Sequence, residues 1–331
     1  MSERSLRDEP AGAAGEQRFR IDASRAGERL DKVVIGAVPG LGRKGARRLF
    51  EEGKIRVNGK RPSKGELARE GDEVQIALPG AVGLGALAEP AAPLDVRLET
   101  REVVVVEKPA RQPTAPLRPG EVGTLANALV ARYPEMAAIG HSPREPGLIH
   151  RLDTDTSGLV VAARSADAFE TLSAGLRTGR IEKSYLLVCA AAGLASSGQI
   201  EFPIAHHPKD RKRMYACIHP RDVVRYQPRS AVTQFHVVCV SGAWALVEAR
   251  AGAAIRHQIR VHFAAIDHPL AGDTLYGGPP LAGIERHALH ANYIAWKGDA
   301  RVPAFEVRSP LPEDLASASA DFAGFLAGPS H

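Results

Sequence analysis

At the centre of the chain a dense polar loop runs straight into an apolar segment. His150-Arg151-Leu152-Asp153-Thr154-Asp155-Thr156-Ser157 is followed by Gly158-Leu159-Val160-Val161-Ala162-Ala163. Loops anchored at strand ends often carry catalytic groups, because the scaffold holds them while solvent and substrate still reach them. Asp153 and Asp155 are open to three readings: a general acid–base pair, a metal site, or turn formation through side-chain hydrogen bonds to the backbone. For an Asp-rich loop taken alone, turn formation is the commonest. Two later blocks carry further polar groups. Tyr185, in Glu182-Lys183-Ser184-Tyr185, opens an apolar run and reads alone as core. Arg260, in Ile255-Arg256-His257-Gln258-Ile259-Arg260-Val261-His262, reads alone as half of a structural salt bridge. His206, His207, His257, His262, His287 and His290 show no ligand spacing with carboxylates, so no metal site is expected.

The elements around these residues divide the chain into unequal parts. Residues 1–17, rich in Ala, Gly, Glu and Arg without periodicity, read as disordered. Residues 18–78 hold 15 Lys or Arg against 9 Asp or Glu, which leaves the rest of the chain nearly neutral out of a net +5. A basic module on a neutral body suggests a polyanion-binding arm, a solvated basic face being the plainer reading. Within it, Leu30, Val33, Val34 and Val38 recur at helical spacing, and Arg43-Lys44-Gly45-Ala46-Arg47-Arg48-Leu49-Phe50 reads as a second helix with a basic face. Ile55-Arg56-Val57 alternates like a strand, Asn58-Gly59 signals a hairpin turn, and a strand runs from Glu73 to Leu78. Residues 79–93, dominated by Pro, Gly, Ala and Leu, read as a linker.

From 94 to 312, strands outnumber helices. Val103–Val106, Gly158–Ala163, Tyr185–Ala190, Phe235–Val240 and Ala245–Ala249 read as strands, and Leu125–Tyr133, Phe169–Leu176 and Ile255–Ala265 as helices. Strands without regularly alternating helices imply an α+β class with a mixed or antiparallel sheet. A GxGxxG at a strand–helix junction is absent, which disfavours a doubly wound nucleotide-binding fold. Residues 313–331 form a tail of low information. No apolar run approaches the ~20 residues needed to span a bilayer, and the charged N-terminus lacks a signal-peptide core. Cys189, Cys217 and Cys239 form no CxxC pair, which suggests neither disulfides nor zinc. The chain therefore reads as cytoplasmic.

His-Arg-Leu-Asp, two variable residues, then Thr-Ser-Gly-Leu would be a chance pattern only with difficulty, and here it spans His150 to Leu159. On this motif the chain resembles the RluA-type pseudouridine synthases. The block ending at Tyr185, the His257–His262 run, His268-Pro269-Leu270-Ala271-Gly272-Asp273-Thr274-Leu275-Tyr276-Gly277 and Leu289-His290-Ala291 agree with that family in order and spacing. The resemblance implies that Asp153 is the catalytic aspartate, that Tyr185 packs against the target base, and that Arg260 pairs with the aspartate. His150 and Arg151 would handle RNA around the target, with Arg151 filling the space left by the flipped base. Asp155 falls at a variable position and receives no role. Pro203 to Met214 adds a basic loop typical of these enzymes. Two departures stand out: Ala254-Ile255-Arg256 replaces a Gly-Arg-Thr-like triplet, and Lys108-Pro109-Ala110-Arg111 ends without the family's glycine. Both bear on loop shape and substrate positioning.

Residues 18–78 resemble the small RNA-binding domain named after ribosomal protein S-four, through Glu28-Arg29-Leu30-Asp31-Lys32, Glu51 to Lys60 and Glu70 to Val74. Arg43, Lys44, Arg47 and Arg48 would then face phosphates, contacts that give affinity rather than sequence reading. The expected protein is a monomeric RNA pseudouridine synthase with an α+β catalytic domain and a small α/β RNA-binding domain. It needs no cofactor or metal, because the reaction is an isomerisation without redox change or group donor. Asp153 would act as nucleophile or as a base assisting sugar deprotonation. Large-subunit ribosomal RNA is the first expected substrate and transfer RNA the second. A non-catalytic RNA-binding or ribosome-assembly protein on the same scaffold is the alternative from a different class.

Overall fold

Two separate sheets organise the chain. The computed structural model describes residues 16–38, 43–63, 65–77, 85–252, 255–317 and Phe322, without the side chains of residues 16, 43–45 and 48. The first sheet belongs to the basic module, built from β1 (Glu16–Arg20), α1 (Leu30–Ala37), α2 (Arg43–Glu51), β2 (Ile55–Val57) and β3 (Glu73–Ala77). Its strands run antiparallel in the order β1-β3-β2. Leu30, Val33 and Val34 of α1, Leu49 of α2 and Ile55, Val74 and Ile76 of the strands form one buried cluster. The 3.6- and 2-residue spacings in the sequence converge on this common interior.

Two local expectations change. Asn58 and Gly59 do take positive φ, 51° and 76°, as a tight turn demands. The hairpin they close is a single Val57–Lys60 bridge, however, and the partner of β2 is β3. Glu16 and Gln17 belong to a strand because β3 supplies their backbone partners, Ala77 and Ile76. Residues 1–15 lie outside the described residues, as do 79–84 of the expected linker. The remainder of that stretch rests on the larger body: Ala86 N–H donates to Pro143 O, and Asn127 Nδ2 donates to Leu87 O.

The larger body begins with β4 (Asp95–Glu99) and β5 (Val103–Lys108), then α3 (Leu125–Arg132) and a 3-10 turn at Pro134–Ala138. β6 (Ser157–Ala163), α4 (Ala166–Arg177), β7 (Ile181–Ala190), β8 (Ser197–Ile200), β9 (Ile204–His206) and β10 (Met214–Ala216) follow. α5 (Pro220–Tyr226), β11 (Thr233–Ser241), β12 (Trp244–Arg250), α6 (Gln258–Ala265), β13 (Leu289–Trp296), β14 (Phe305–Arg308) and α7 (Glu313–Ala316) complete it. Nine strands make one sheet in the order β4-β5-β6-β13-β7-β12-β11-β8, with β14 on β13, while β9 and β10 pair separately. Among the described residues only the β13–β6 contact is parallel, so the sheet is mixed and the class α+β. Both faces are covered: Val104 and Val106 pack with α3, Val103 and Val105 with Phe169 and Leu172 of α4. This is why four valines run without polar alternation, each worth about 1.5–3 kcal/mol when fully buried. Thr124 and Ser165 cap α3 and α4 through their side-chain oxygens.

β13 is the strand that assembles the site. Its His290 stands in register with Ser157 of β6 on one side and Leu186 of β7 on the other. The polar loop before β6 and Tyr185 of β7 are thereby brought to the same part of the sheet, although 32 positions separate Asp153 from Tyr185 in sequence. The close β6–β13 contact requires Gly158. It has φ +117°, and a Cβ there would run into the Ala291 backbone. Gly158→Ala is expected to cost about 2–4 kcal/mol of folding stability, readable as a lower urea midpoint; an unchanged midpoint would refute this reading of the contact.

Candidate active site

Asp153 lies in the loop before β6, its side chain about a quarter exposed (23%). Its Oδ2 accepts from Arg260 Nη1 at 2.8 Å. Arg260 is in the first turn of α6, and the rest of its guanidinium faces Asp273, with Nε and Nη2 donating to the two carboxylate oxygens at 2.7 and 2.8 Å. Arg260 and Asp273 are both buried. A guanidinium held by a planar fork on one side and a single charged hydrogen bond on the other has little freedom to leave, and removing one partner of a buried pair costs about 3–5 kcal/mol.

The electrostatics follow from this arrangement. Burial pushes the Asp153 carboxyl up, but attraction to His257 when that ring is protonated, the charge of Arg260 and the Arg260 hydrogen bond outweigh it and hold the group below its ordinary value. His257 is itself driven down to about 4 by burial, against the pull of Asp153. At neutral pH His257 is therefore uncharged, and Arg260 is the cation that keeps Asp153 ionised. Burial also works against the charge of Arg260, and its bonds to Asp273 and Asp153 more than restore it. His257 Nε2 is 3.7 Å from the Asp153 carboxylate and its Nδ1 is 2.9 Å from the Tyr276 hydroxyl. Its φ of +55° places it just ahead of α6, which is why the helix starts at Gln258 and not at Ile255.

Asp153, Asp155, His257, Arg260, Asp273 and His287 line a cleft of about 680 Å³, within the usual range for sites that enclose a small ligand. Tyr185 is outside that lining, buried beside Leu152 and Ile259 in the main core. Burial and the Asp153 charge both push its phenol upward, so it stays neutral.

The structure divides the remaining expected residues. Arg151 is exposed, with Nη1 donating to Glu145 at 2.6 Å. His150, expected to contact RNA, is buried and its Nε2 accepts from Val161 N–H at 3.2 Å. That hydrogen bond fastens the loop to β6, so His150 supports the site from inside instead of meeting RNA. Arg47 is exposed and pairs with Glu51. The side chains of Arg43, Lys44 and Arg48 lie outside the described residues. His262, taken as a motif residue only, is buried between Thr233 Oγ1 and Phe202 O.

Several groups at the site were not legible as functional. Asp273 stands in a block that matches the family in order and spacing without a role assigned to it. Lys108 was noted only for the turn after it, yet it is fully buried and donates to Pro109 O, Gln112 O and Thr154 O at 2.8, 2.8 and 3.1 Å. Burial lowers it to about 7, against the pull of Asp153 and Asp155. The two departures also find places. Arg111 adopts φ +67°, which a glycine would hold without strain, and reaches Glu285 on the cleft rim. Arg256 donates to Arg211 O and Lys212 O, tying the basic β9–β10 loop to the corner at His257. Ala254 lies outside the described residues. Among the described residues, no group of three or more His, Cys, Asp or Glu is placed to hold a metal, and no helix is long and apolar enough to cross a membrane.

The site is thus a mixed sheet carrying an aspartate held ionised by a buried arginine, and the comparisons with known proteins give the class of protein it belongs to. Residues 102–265 match the family described as RNA pseudouridylate synthase. An RNA pseudouridine synthase of Bacillus subtilis (strain 168) is 33% identical over 289 residues, covering 87% of this chain and 92% of its own. "Ribosomal large subunit pseudouridine synthase D" of Xanthomonas campestris pv. campestris is 33% identical over 308 residues, covering 89% of each. The structure of human RNA Pseudouridylate Synthase Domain Containing 1 shares the fold, with a TM-score of 0.52 at 24% identity over 73% of this chain and 89% of that one. The chain belongs to the RluA-type RNA pseudouridine synthases.

The buried histidines give the enzyme a characteristic acid response. His150, His287 and His290 are each pushed by burial from 6.5 to about 3. Below about 6.5 the unfolded chain takes up protons that the folded chain refuses, so their contribution is complete above that pH and lost as pH falls toward 3. Stability measured in urea is expected to drop between pH 7 and pH 5 by about 1–2 kcal/mol for each of these histidines. A flat profile over that interval would contradict their burial as neutral groups.

Proposed function

We propose that the enzyme converts uridine to pseudouridine in large-subunit ribosomal RNA, with Asp153 as the catalytic carboxylate. The observation that carries the assignment is the Asp273–Arg260–Asp153 array, which keeps one carboxylate ionised and aimed at the cleft. The reaction breaks the N1–C1′ bond of uridine, turns the freed base and rejoins it to C1′ through C5. Asp153 acts on the sugar, and its charge suits both nucleophilic attack and proton abstraction. Tyr185, a neutral ring in the core outside the cleft lining, is assigned to the target base on the family motif alone. The base must leave its stack, at a cost of a few kcal/mol, and exposed Arg151 takes the vacated space, exchanging Glu145 for RNA.

The ribosomal assignment rests on relatives whose names state that substrate, among them the Xanthomonas enzyme and one from Escherichia coli O157:H7 at 30% identity over 309 residues. The basic module, with Arg43, Lys44, Arg47 and Arg48 on α2, adds sequence-independent affinity for the RNA backbone. The enzyme works as a monomer, and its substrate places it in the cytoplasm.

The test uses unmodified transcripts of large-subunit ribosomal RNA and of transfer RNA, with pseudouridine mapped after incubation. Wild type is expected to modify the ribosomal transcript, and Asp153→Asn to lose about 10³-fold or more in rate while still binding RNA. Modification of transfer RNA alone would overturn the substrate, and equal rates for wild type and Asp153→Asn would overturn the site.

A further inference from the structure

The loop that carries Asp153 is gripped along its backbone. Thr114 Oγ1 donates to Leu152 O at 2.7 Å and receives Leu152 N–H at 3.2 Å. Lys108 holds Thr154 O. The other half of the loop, residues 155–157, is held by a segment beyond residue 265, where the family match ends. Arg286 is the centre of this second grip, and its side chain is only 3% exposed. Nη1 donates to Asp155 O at 3.2 Å and to Leu289 O at 3.0 Å, with His287 O at 3.3 Å, and Nη2 donates to Ser157 Oγ at 3.2 Å. The guanidinium is oriented by Asp314 of α7, whose Oδ2 and Oδ1 accept from Nε at 2.7 Å and from Nη2 at 3.1 Å.

The contacts continue beyond Ser157: its Oγ meets His290 Nδ1 at 2.9 Å, and His290 Nε2 meets Ser309 Oγ at 3.1 Å. Beside it, His287 Nε2 meets Thr156 Oγ1 at 2.7 Å. A buried arginine is an expensive way to stabilise a fold, since well-packed apolar side chains in its place are often neutral or better. Planar, two-sided geometry is what it supplies: one edge is locked by a carboxylate while the other fixes two points of a loop.

We infer that Arg286, braced by Asp314 of the C-terminal helix, is a positioning residue that sets where Asp153 stands against Arg260 and the substrate sugar. This rests on the assignment of Asp153 as the catalytic carboxylate. Asp155 O and Ser157 Oγ flank the turn in which Thr156 N–H donates to Asp153 O. A loop released at those two points lets the carboxylate drift, and misplacement by about 1 Å can cost about 10²-fold in rate.

The experiment measures single-turnover pseudouridine formation, RNA affinity and melting temperature for Asp314→Ala, Asp314→Glu and Arg286→Lys, with Asp153→Asn as control. Asp314 is partly exposed (40%), but its removal leaves the buried Arg286 without its carboxylate, so melting temperature is read beside rate for every variant. Asp314→Ala and Arg286→Lys are expected to slow the reaction about tenfold or more. RNA affinity should stay within about twofold, and Asp314→Glu should recover most of the rate. A lowered melting temperature with an unchanged rate would make the pair part of the fold alone and overturn the inference. A loss confined to RNA affinity would overturn it too. If Asp153→Asn is inactive while Asp314→Ala and Arg286→Lys match wild type, the positioning role fails by itself. An active Asp153→Asn would remove the catalytic assignment beneath it.

Discussion

Arg260 sits between two carboxylates, and the site depends on that placement. Asp273 takes two of its nitrogens through a buried fork, leaving Nη1 for Asp153. Without Asp273 the guanidinium would have one partner and several orientations; with it, only one direction remains for the free edge. The same geometry divides the labour between the carboxylates. Asp273 is sealed in the interior, while Asp153 keeps part of its surface toward the cleft. The protein thus sustains a charge at the cleft wall by burying the opposite charge just behind.

The sheet exists to hold those two halves at a fixed separation. α6 brings Arg260, the turn after it brings Asp273, and the loop before β6 brings Asp153. β13 joins the Asp153 loop to the strand that carries Tyr185, since it pairs in parallel with β6 and antiparallel with β7. The parallel contact demands an approach that only glycine allows at position 158. Buried polar groups then fasten the loop to its surroundings: His150 to Val161, Lys108 to Thr154, Arg286 to Asp155 and Ser157. Each is satisfied by hydrogen bonds, the condition under which a buried polar group supports a unique structure.

The chain's two departures from its family's pattern alter connections around the site and leave its centre intact. Arg256 anchors the basic loop by donating to two of its carbonyls. Arg111 spans from the turn after β5 to Glu285. Both act on segments that border the cleft, and neither touches Asp153.

Much of the centre was legible in the sequence because its residues occur in contiguous strings. His150 to Leu159 is an unbroken pattern that singles out Asp153 by its neighbours, and a shorter string singles out Arg260, which the structure pairs with it. The principal strands and helices showed through their periodicity, with errors mainly where a distant partner decides, as at β1 and at the one-bridge turn of Asn58-Gly59. What the sequence by itself determined is the type of chemistry and the order of the elements that serve it. Only the tertiary structure decided that His150 faces inward, that Asp273 shares Arg260, and that Lys108 and Arg286 hold the loop. The physical reason is that burial and partnership are set across long separations, 107 residues for Arg260 with Asp153 and 131 for Arg286 with Asp155. A local string records which groups are present, and the packing of the sheet chooses which of them meet.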